Sequence, residues 1–248
     1  MAQKWIDGRV VNLRRWTERL YSLRVDAPVD SFKAGQFTRI ALEIGGEEVA
    51  RPYSYVNAPD ERPLEFYFIT VSDGPLTSRL VSLRPGDPIL VSPKPSGLLT
   101  LSELPQSEHL WLLSTGTAVG PFLSIIKTQD PWHRFARVVL VHAVRLAEEL
   151  SYREVIDQIR QRQGGQFVYV PFVSRENTDF AIRGRIPDAI RDGRLEAQAG
   201  IPLSAQRSQV MVCGNPDMVQ QTLQVLEERG LKRNKRKDPG QISVETYW

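Results

Sequence analysis

The pattern of apolar residues changes about a hundred residues into the chain, and this change restricts the possible folds. Before it, apolar and polar residues alternate in short stretches separated by turn residues, and the clearest strand is 64–71, which is rich in β-branched and aromatic residues. After the segment 92–97, which is rich in proline and glycine, continuous apolar runs alternate with helical stretches. Alternation is typical of strands with one buried face, and continuous runs are typical of parallel strands buried on both faces. The sequence therefore predicts two domains of different class.

The first part, residues 1–98, predicts an antiparallel β-barrel. Further strand-like stretches lie at 10–25, 36–44 and 87–91, and a helix is expected around 77–83. Several short strands at this spacing favour a closed antiparallel barrel.

The second part, residues 99–248, predicts a doubly wound α/β domain with a parallel sheet. Its buried strands are expected at the apolar runs 110–113, 137–142, 167–173 and 210–213. One helix is expected at 151–163, opened by a Ser-x-x-Glu capping box at Ser151. Another is expected to begin at Pro216 with Asn215 as its cap.

Composition is that of an ordinary globular protein. The chain has 248 residues, 41% hydrophobic and 25% charged, and no apolar stretch approaches the roughly 20 residues that span a bilayer. The N-terminal residues lack the apolar core of a signal peptide, so we expect a soluble, cytoplasmic protein that does not enter a membrane. One cysteine and three scattered histidines give no disulfide pair and no metal-ligand spacing, so no metal site is expected.

Positive charge is concentrated at 232–237, although the net charge of the chain is only +3. This run packs five cations into six positions, which favours nucleic acid, an acidic protein or a charged cofactor as its partner. A solvated loop after a helix explains the same run about equally well.

Two short motifs offer chemistry for cofactors. Arg51-Pro52-Tyr53-Ser54 provides a cation for a pyrophosphate, an aromatic face for a flat ring and a hydroxyl to hydrogen-bond that ring. The segment 114–122 resembles a turn from a strand into a helix, where backbone N–H groups approach phosphates closely. Together they indicate one half for a flavin and one for a nicotinamide nucleotide. Standing alone, Tyr53 would fit an aromatic residue of the barrel core.

Four motifs occur in order along nearly the whole chain: Arg-x-Tyr-Ser at 51–54, Thr-Gly-Thr-Ala-x-Gly-Pro-Phe at 115–122, Cys-Gly-Asn-Pro at 213–216 and Glu-Thr-Tyr-Trp at 245–248. This set resembles the ferredoxin-NADP reductase family, most closely its bacterial ferredoxin/flavodoxin-NADP reductase branch. The resemblance implies an FAD-binding barrel and an NADP(H)-binding α/β domain. It also implies electron transfer between NADPH and an acidic carrier, ferredoxin or flavodoxin, by hydride transfer to flavin N5 and then single-electron steps. A monomer that binds no nucleic acid is expected.

The resemblance implies FAD contacts mainly in the first domain. The residue matching Arg51 contacts the pyrophosphate, that matching Tyr53 stacks on the ring, and that matching Ser54 hydrogen-bonds near N5. A Gly-Pro turn at 74–78 is part of this set, although such a turn also forms without a ligand. The expected FAD residues are Arg51, Pro52, Tyr53, Ser54, Tyr67, Phe68, Ile69, Gly74, Leu76, Thr77, Thr117 and Trp248.

The carboxyl end departs from the plant-type pattern, in which a tyrosine ends the chain and covers the flavin. Here Tyr247 is penultimate and Trp248 is last. In the bacterial branch the C-terminal segment reaches the adenine half of FAD, so Trp248 is expected to stack on adenine.

The resemblance implies NADP(H) contacts at the ends of the parallel strands. Selection of NADP over NAD requires cations at the 2′-phosphate, where nucleotide crevices occur in such sheets. The expected NADP(H) residues are Thr115, Gly116, Arg145, Arg175, Arg185 and Cys213. Taken singly, each arginine fits a solvated surface residue and Cys213 fits a small apolar residue that ends a core strand.

Four residues are expected at the reaction centre: Ser54, Thr117, Cys213 and Glu245. They would position and polarise groups rather than break bonds, although Glu245 fits an exposed charge nearly as well.

Two other functions stay open at this point. The chain could deliver electrons to free flavins, quinones or an oxygenase component, or it could be a non-catalytic module that binds nucleic acid through 232–237.

Overall fold

Two six-stranded sheets organise the chain. The structure is a computed structural model and describes residues 5–247. The strands of the first sheet are β1 Ile6–Arg15, β2 Leu20–Asp26, β3 Phe37–Ile44, β4 Glu47–Ser54, β5 Leu64–Ile69 and β6 Pro88–Val91. They pair antiparallel in the order β4-β3-β6-β1-β2-β5.

The two edge strands of this sheet meet and close it into the predicted barrel. Tyr55, directly after β4, forms a β-bridge with Phe66 of β5. The next N–H, that of Val56, donates to Glu65 O at 2.8 Å. Tyr55 and Phe66 are both fully buried in the barrel core.

Two predictions in the barrel need adjustment. The stretch 10–25 is a hairpin of two strands, because Thr17 Oγ1 accepts hydrogen bonds from the N–H groups of Arg19 and Leu20, both at 3.2 Å, and fixes the turn. The helix expected around 77–83 is a single turn, α1 Thr77–Leu80.

The second sheet is parallel throughout, as predicted. Its strands are β7 His109–Thr115, β8 Arg137–Val144, β9 Phe167–Val173, β10 Ile182–Arg183, β11 Ser208–Gly214 and β12 Ile242–Thr246. They lie in the order β10-β9-β8-β7-β11-β12. The four predicted apolar runs are β7, β8, β9 and β11. These are the four central strands of the sheet, and helices pack on both of their faces. The division of the chain between residues 98 and 99 stays a prediction.

Helices cover both faces of this sheet. They are α2 Gly120–Lys127, α3 Asp130–Arg134, α4 Arg153–Gln163, α5 Ile186–Arg191, α6 Arg194–Ala199 and α7 Pro216–Glu228. Within β7, Leu112 packs with the cluster that contains α2 and α4, and Leu113 packs with the cluster of α5 and α7. Asn215 caps α7 as predicted, since its side chain accepts hydrogen bonds from two N–H groups of the first turn. Within residues 5–247, no helix combines the length and apolar character of a membrane crossing.

The predicted capping box at Ser151 is wrong. The residue at the N-cap of α4 is Tyr152, in the left-handed conformation with φ 62°, and no side chain caps the helix. Ser151 Oγ instead accepts a hydrogen bond of 2.8 Å from the hydroxyl of Tyr67 in the barrel. A contact between the domains has therefore replaced the local cap.

Candidate functional site

The carboxyl ends of the parallel strands lie along one edge of the second sheet, and the predicted nucleotide residues lie there. In register, Cys213 of β11 is next to Ser114 of β7 on one side and Glu245 of β12 on the other. One step further along, the N–H of Asn215 donates to Thr115 Oγ1 at 3.3 Å. Open α/β sheets bind ligands in the crevice outside this edge.

The turn after β7 presents accessible backbone. It forms a 3₁₀ turn, Gly116–Val119, that leads into α2. Gly116 has φ 55°, and no atom lies within 4 Å of the place where a Cβ would stand. The same turn packs against β5 of the barrel, which places Thr117 at the junction of the two domains. This space fits a phosphate group held by backbone N–H groups.

His142 binds the backbone of this turn through a hydrogen bond. No motif in the sequence predicts it as a site residue. Its Nε2 lies 3.1 Å from Gly116 O, and because a carbonyl only accepts, the proton is on Nε2. Burial lowers the pKa of His142 to about 4, so the ring is neutral at physiological pH. The only signal in the sequence is a histidine at the end of an apolar strand, which is also a common core position.

Tyr247 ties the C-terminal strand to the barrel. Its hydroxyl donates to Ser54 Oγ, and its N–H donates to Gly214 O at 2.8 Å. Burial raises the pKa of the Tyr247 hydroxyl well above its usual value. Ser54 is thus brought to the same junction as the ends of β11 and β12. Trp248, predicted to stack on adenine, lies outside the described residues.

The two titratable groups predicted at the reaction centre are both shifted toward their protonated forms. Partial burial raises the pKa of Glu245 to about 7. Burial, and to a lesser degree the Glu245 charge, raises the pKa of the Cys213 thiol well above its usual value. At neutral pH the thiol keeps its proton and the carboxyl is protonated about half of the time. The centre therefore carries less negative charge than two ionised groups would.

A cation and an aromatic ring lie side by side on β4. Arg51 and Tyr53 are two residues apart, so they project from the same face of the strand. Arg51 is exposed, and its guanidinium donates to Ala50 O at 2.8 Å. Tyr53 meets Phe68 edge to face with ring centroids 6.1 Å apart, and burial raises its pKa to about 12. This pair has the chemistry that the predicted FAD site requires.

Three other predicted FAD residues, Tyr67, Leu76 and Thr77, have side chains that are engaged within the protein. Tyr67 directs its hydroxyl to Ser151 of the second domain. Leu76 is buried in the barrel core, and Thr77 Oγ1 accepts a hydrogen bond of 3.1 Å from a backbone N–H of the preceding loop. A Cβ on Gly74 would lie 2.8 Å from that Thr77 Oγ1, so the turn needs glycine with or without a ligand.

The three predicted 2′-phosphate arginines follow the ends of three adjacent strands. Arg145 comes directly after β8, Arg175 follows β9 and Arg185 follows β10. The N–H of Arg175 donates to Arg145 O at 2.9 Å, and the N–H of Gly184 donates to Val173 O at 3.3 Å. All three arginines are exposed. The fold therefore brings their chain segments together, as the strand-end argument predicts.

The basic run 232–237 lies near the reaction centre. Its cations Arg233, Lys235 and Arg236 line a groove of about 1040 Å³ that extends to Glu245. Leu98, 76% exposed, lines the same groove. The groove thus combines positive charge with an exposed apolar side chain.

Comparison with known proteins finds relatives over the whole chain. Residues 112–224 match the family described as oxidoreductase NAD-binding domain. The chain is 46% identical to a flavodoxin/ferredoxin–NADP reductase of Escherichia coli (strain K12), over 98% of this chain and 99% of the relative. It is 39% identical to a ferredoxin–NADP reductase of Pseudomonas aeruginosa, over 96% and 95%. A crystal structure of a ferredoxin NADP⁺ reductase from Neisseria gonorrhoeae with bound FAD and NADP aligns with a TM-score of 0.93 at 30% identity, covering 99% of both chains.

Proposed function

The chain belongs to the flavodoxin/ferredoxin–NADP reductase family, and on that premise we propose that it transfers electrons between NADPH and a ferredoxin or flavodoxin. It is an oxidoreductase whose cofactors are FAD and NADP(H). One observation carries the proposal: Ser54 of the barrel meets the ends of β11 and β12, through Tyr247, at the junction of the two domains. We propose that residues 1–98 hold FAD and residues 99–248 hold NADP(H).

The barrel residues fit FAD. The exposed guanidinium of Arg51 would pair with the pyrophosphate, and the ring of Tyr53 would pack on the isoalloxazine. Bound FAD would supply the redox chemistry, as hydride acceptor from NADPH at N5 and as donor of the two electrons one at a time. Further contacts are proposed for Pro52, Ser54, Tyr67, Phe68, Ile69, Gly74, Leu76, Thr77, Thr117 and Trp248.

The edge of the parallel sheet fits NADP(H). The open backbone at Gly116 and the hydroxyl of Thr115 would hold the diphosphate at the start of α2. Arg145, Arg175 and Arg185 would surround the 2′-phosphate, for which guanidinium groups are well matched. These three follow adjacent strand ends, which supports a shared ligand.

At the reaction centre, four side chains orient and polarise the reacting groups. Ser54 would donate to the ring from the barrel side, and Thr117 and Cys213 would line the nicotinamide side. Glu245, with its pKa near 7, can be protonated there. In that form it places no negative charge beside the reacting atoms. The ring of Tyr247 separates Ser54 from Gly214, so a group that approaches Ser54 from the second domain must displace it.

We expect NADPH to bleach the visible flavin absorbance of the purified protein much faster than NADH. Arg145→Ala and Arg185→Ala should each raise the KM for NADPH by about tenfold or more, because a charge-assisted hydrogen bond contributes about 1.5–3 kcal/mol. The KM for NADH should change little, since NADH lacks the 2′-phosphate. Steady-state kinetics with both nucleotides measure this.

Arg191→Ala is a control for these variants, because Arg191 is an exposed arginine of the same domain that pairs with Asp188 at 3.5 Å. It should leave both KM values unchanged. Equal losses with NADPH and NADH in the Arg145 and Arg185 variants would contradict the assignment of the 2′-phosphate site. A colourless protein would contradict the FAD proposal.

The groove beside the basic run supports docking of an acidic carrier. An approaching carrier would meet the cations of 232–237 next to Glu245 and the reaction centre. Ferredoxins and flavodoxins are usually acidic, and opposite charge on two partners accelerates their encounter. A monomeric, cytoplasmic protein stays a prediction.

Replacing Lys235, Arg236 and Lys237 together with glutamine should slow carrier reduction about tenfold at low ionic strength. The difference should shrink as salt rises, because the Debye length is about 10 Å at 0.1 M. NADPH reduction of the flavin should be unaffected. The matched control replaces Arg153, Arg160 and Arg162, three exposed cations of α4. Unchanged carrier rates with weakened nucleic-acid binding would assign the run to another partner.

A further inference from the structure

Two carboxylates hold the turn that carries Arg145. Glu149 Oε2 accepts hydrogen bonds from the N–H groups of Arg145 at 2.8 Å and Leu146 at 3.0 Å. Glu176 Oε2 accepts one from the N–H of Ala147 at 2.6 Å. Three consecutive backbone donors after β8 are therefore bound by side chains of this chain.

This arrangement determines how the turn can bind an anion. Because the three N–H groups are engaged, recognition of a phosphate here depends on the arginine side chains. The turn is also tied to the next segment, since Arg175 donates its N–H to Arg145 O at 2.9 Å and Glu176 follows directly. The two carboxylates thus fix the backbone from which Arg145 extends.

We propose that Glu149 is a positioning residue for nucleotide selectivity: it holds the turn so that Arg145 reaches the 2′-phosphate of NADPH. The inference rests on the proposed role of Arg145. The charge of Glu149 alone acts in the opposite direction, because a carboxylate near a phosphate repels it. Its hydrogen bonds strengthen NADPH binding and its charge weakens it, so the two contributions differ in sign.

A neighbouring residue separates these contributions. Glu148 lies in the same 3₁₀ turn, Ala147–Glu149, and is exposed. Among residues 5–247 no hydrogen bond to its carboxylate is found. Glu148→Ala and Glu149→Ala therefore remove the same charge from almost the same place, but only the second releases the backbone.

The experiment measures steady-state kinetics of the FAD-loaded enzyme with NADPH and with NADH, using ferricyanide as acceptor. Glu149→Ala should raise the KM for NADPH about fivefold to tenfold, as expected for losing hydrogen bonds to a charged acceptor. Its kcat and its KM for NADH should stay within about twofold of the parent enzyme, since the reaction centre is untouched. Glu148→Ala should leave the KM for NADPH unchanged or lower it. Glu149→Gln keeps a carbonyl acceptor and should recover most of the NADPH affinity.

Two results would overturn the inference. One is a KM for NADPH in Glu149→Ala that equals the value in Glu148→Ala. The other is an equal rise for NADPH and NADH, which indicates general loosening of the domain. Arg145→Ala, measured in parallel, separates this inference from its premise. If Arg145→Ala affects both nucleotides equally, the 2′-phosphate role of Arg145 fails and the inference fails with it; if Arg145→Ala is selective and Glu149→Ala is not, only the inference fails.

Discussion

Gly214→Ala is expected to lower kcat/KM for NADPH by about a hundredfold, the effect of misplacing reacting groups by roughly 1 Å. Gly214 has φ 153°, a conformation that other residues rarely adopt. A Cβ there would lie 2.1 Å from Thr115 Oγ1 and 2.7 Å from the terminal methyl of Met218. Such contacts are impossible, so the side chains of Thr115 and Met218, or the ends of the strands beside them, must move.

This displacement would reach the reaction centre directly. Gly214 follows Cys213, and its carbonyl accepts the N–H of Tyr247 at 2.8 Å. Moving it therefore shifts both the Cys213 thiol and the ring of Tyr247, two groups of the proposed reaction centre. FAD content should stay close to that of the parent enzyme, because the proposed FAD residues lie mainly in the barrel.

A matched control is Gly230→Ala, after α7. Gly230 also has a positive φ, 80°, but no atom lies within 4 Å of its missing Cβ. That variant carries backbone strain without a collision, so its turnover should be near that of the parent. If Gly214→Ala retains full turnover with NADPH, the close packing of Gly214 on Thr115 is not required for the reaction.

Sequence reasoning succeeded where local pattern and tertiary position agree. The apolar runs of β8 and β9 identify buried parallel strands because residues buried on both faces leave a continuous signal. The arginines after those strands could be grouped in advance, because the ends of adjacent parallel strands share one edge of the sheet. Asn215 was predictable as a cap because its partners lie within three residues.

Reasoning from sequence failed where a side chain is bound by a residue far away in the chain. Ser151 looks like a helix cap, but its partner Tyr67 lies 84 residues earlier. His142 fits an ordinary core position until the carbonyl of Gly116, 26 residues earlier, is found beside it. Glu149 makes short-range bonds, but its proposed role rests on the proposal that Arg145 shares a ligand with the arginines of other strands. Spacing in one chain does not record such contacts.

A buried chain of hydrogen bonds joins the two domains at Tyr152. Trp16 Nε1 donates to Ser22 Oγ at 2.7 Å, Ser22 pairs with the Tyr152 hydroxyl, and that hydroxyl donates to Glu65 Oε1 at 2.8 Å. The side chain of Arg24 lies 3.2 Å from the other oxygen of Glu65. Of these five hydrogen-bonded or ion-paired residues, Tyr152 is the one that belongs to the second domain. The carboxylate at the other end is well buried, since Glu65 is 5% exposed. One hydroxyl group thus links these barrel residues to the second domain, in addition to the contacts of Ser151 with Tyr67 and of Tyr247 with Ser54.

Tyr152→Phe is expected to lower the free energy of unfolding by about 1–3 kcal/mol, because it leaves a buried carboxylate oxygen and the Ser22 hydroxyl without their partner. For a chain of this length about 1 kcal/mol corresponds to roughly 2–4 °C in Tm. Calorimetry of the FAD-loaded enzyme should therefore show a Tm lower by several degrees. Tyr169→Phe is the matched control: its hydroxyl is buried and has no hydrogen-bond partner among residues 5–247, so removing it should leave Tm unchanged or raise it. Equal losses in the two variants would show that the hydrogen bonds of the Tyr152 hydroxyl contribute nothing to stability beyond the volume of the group.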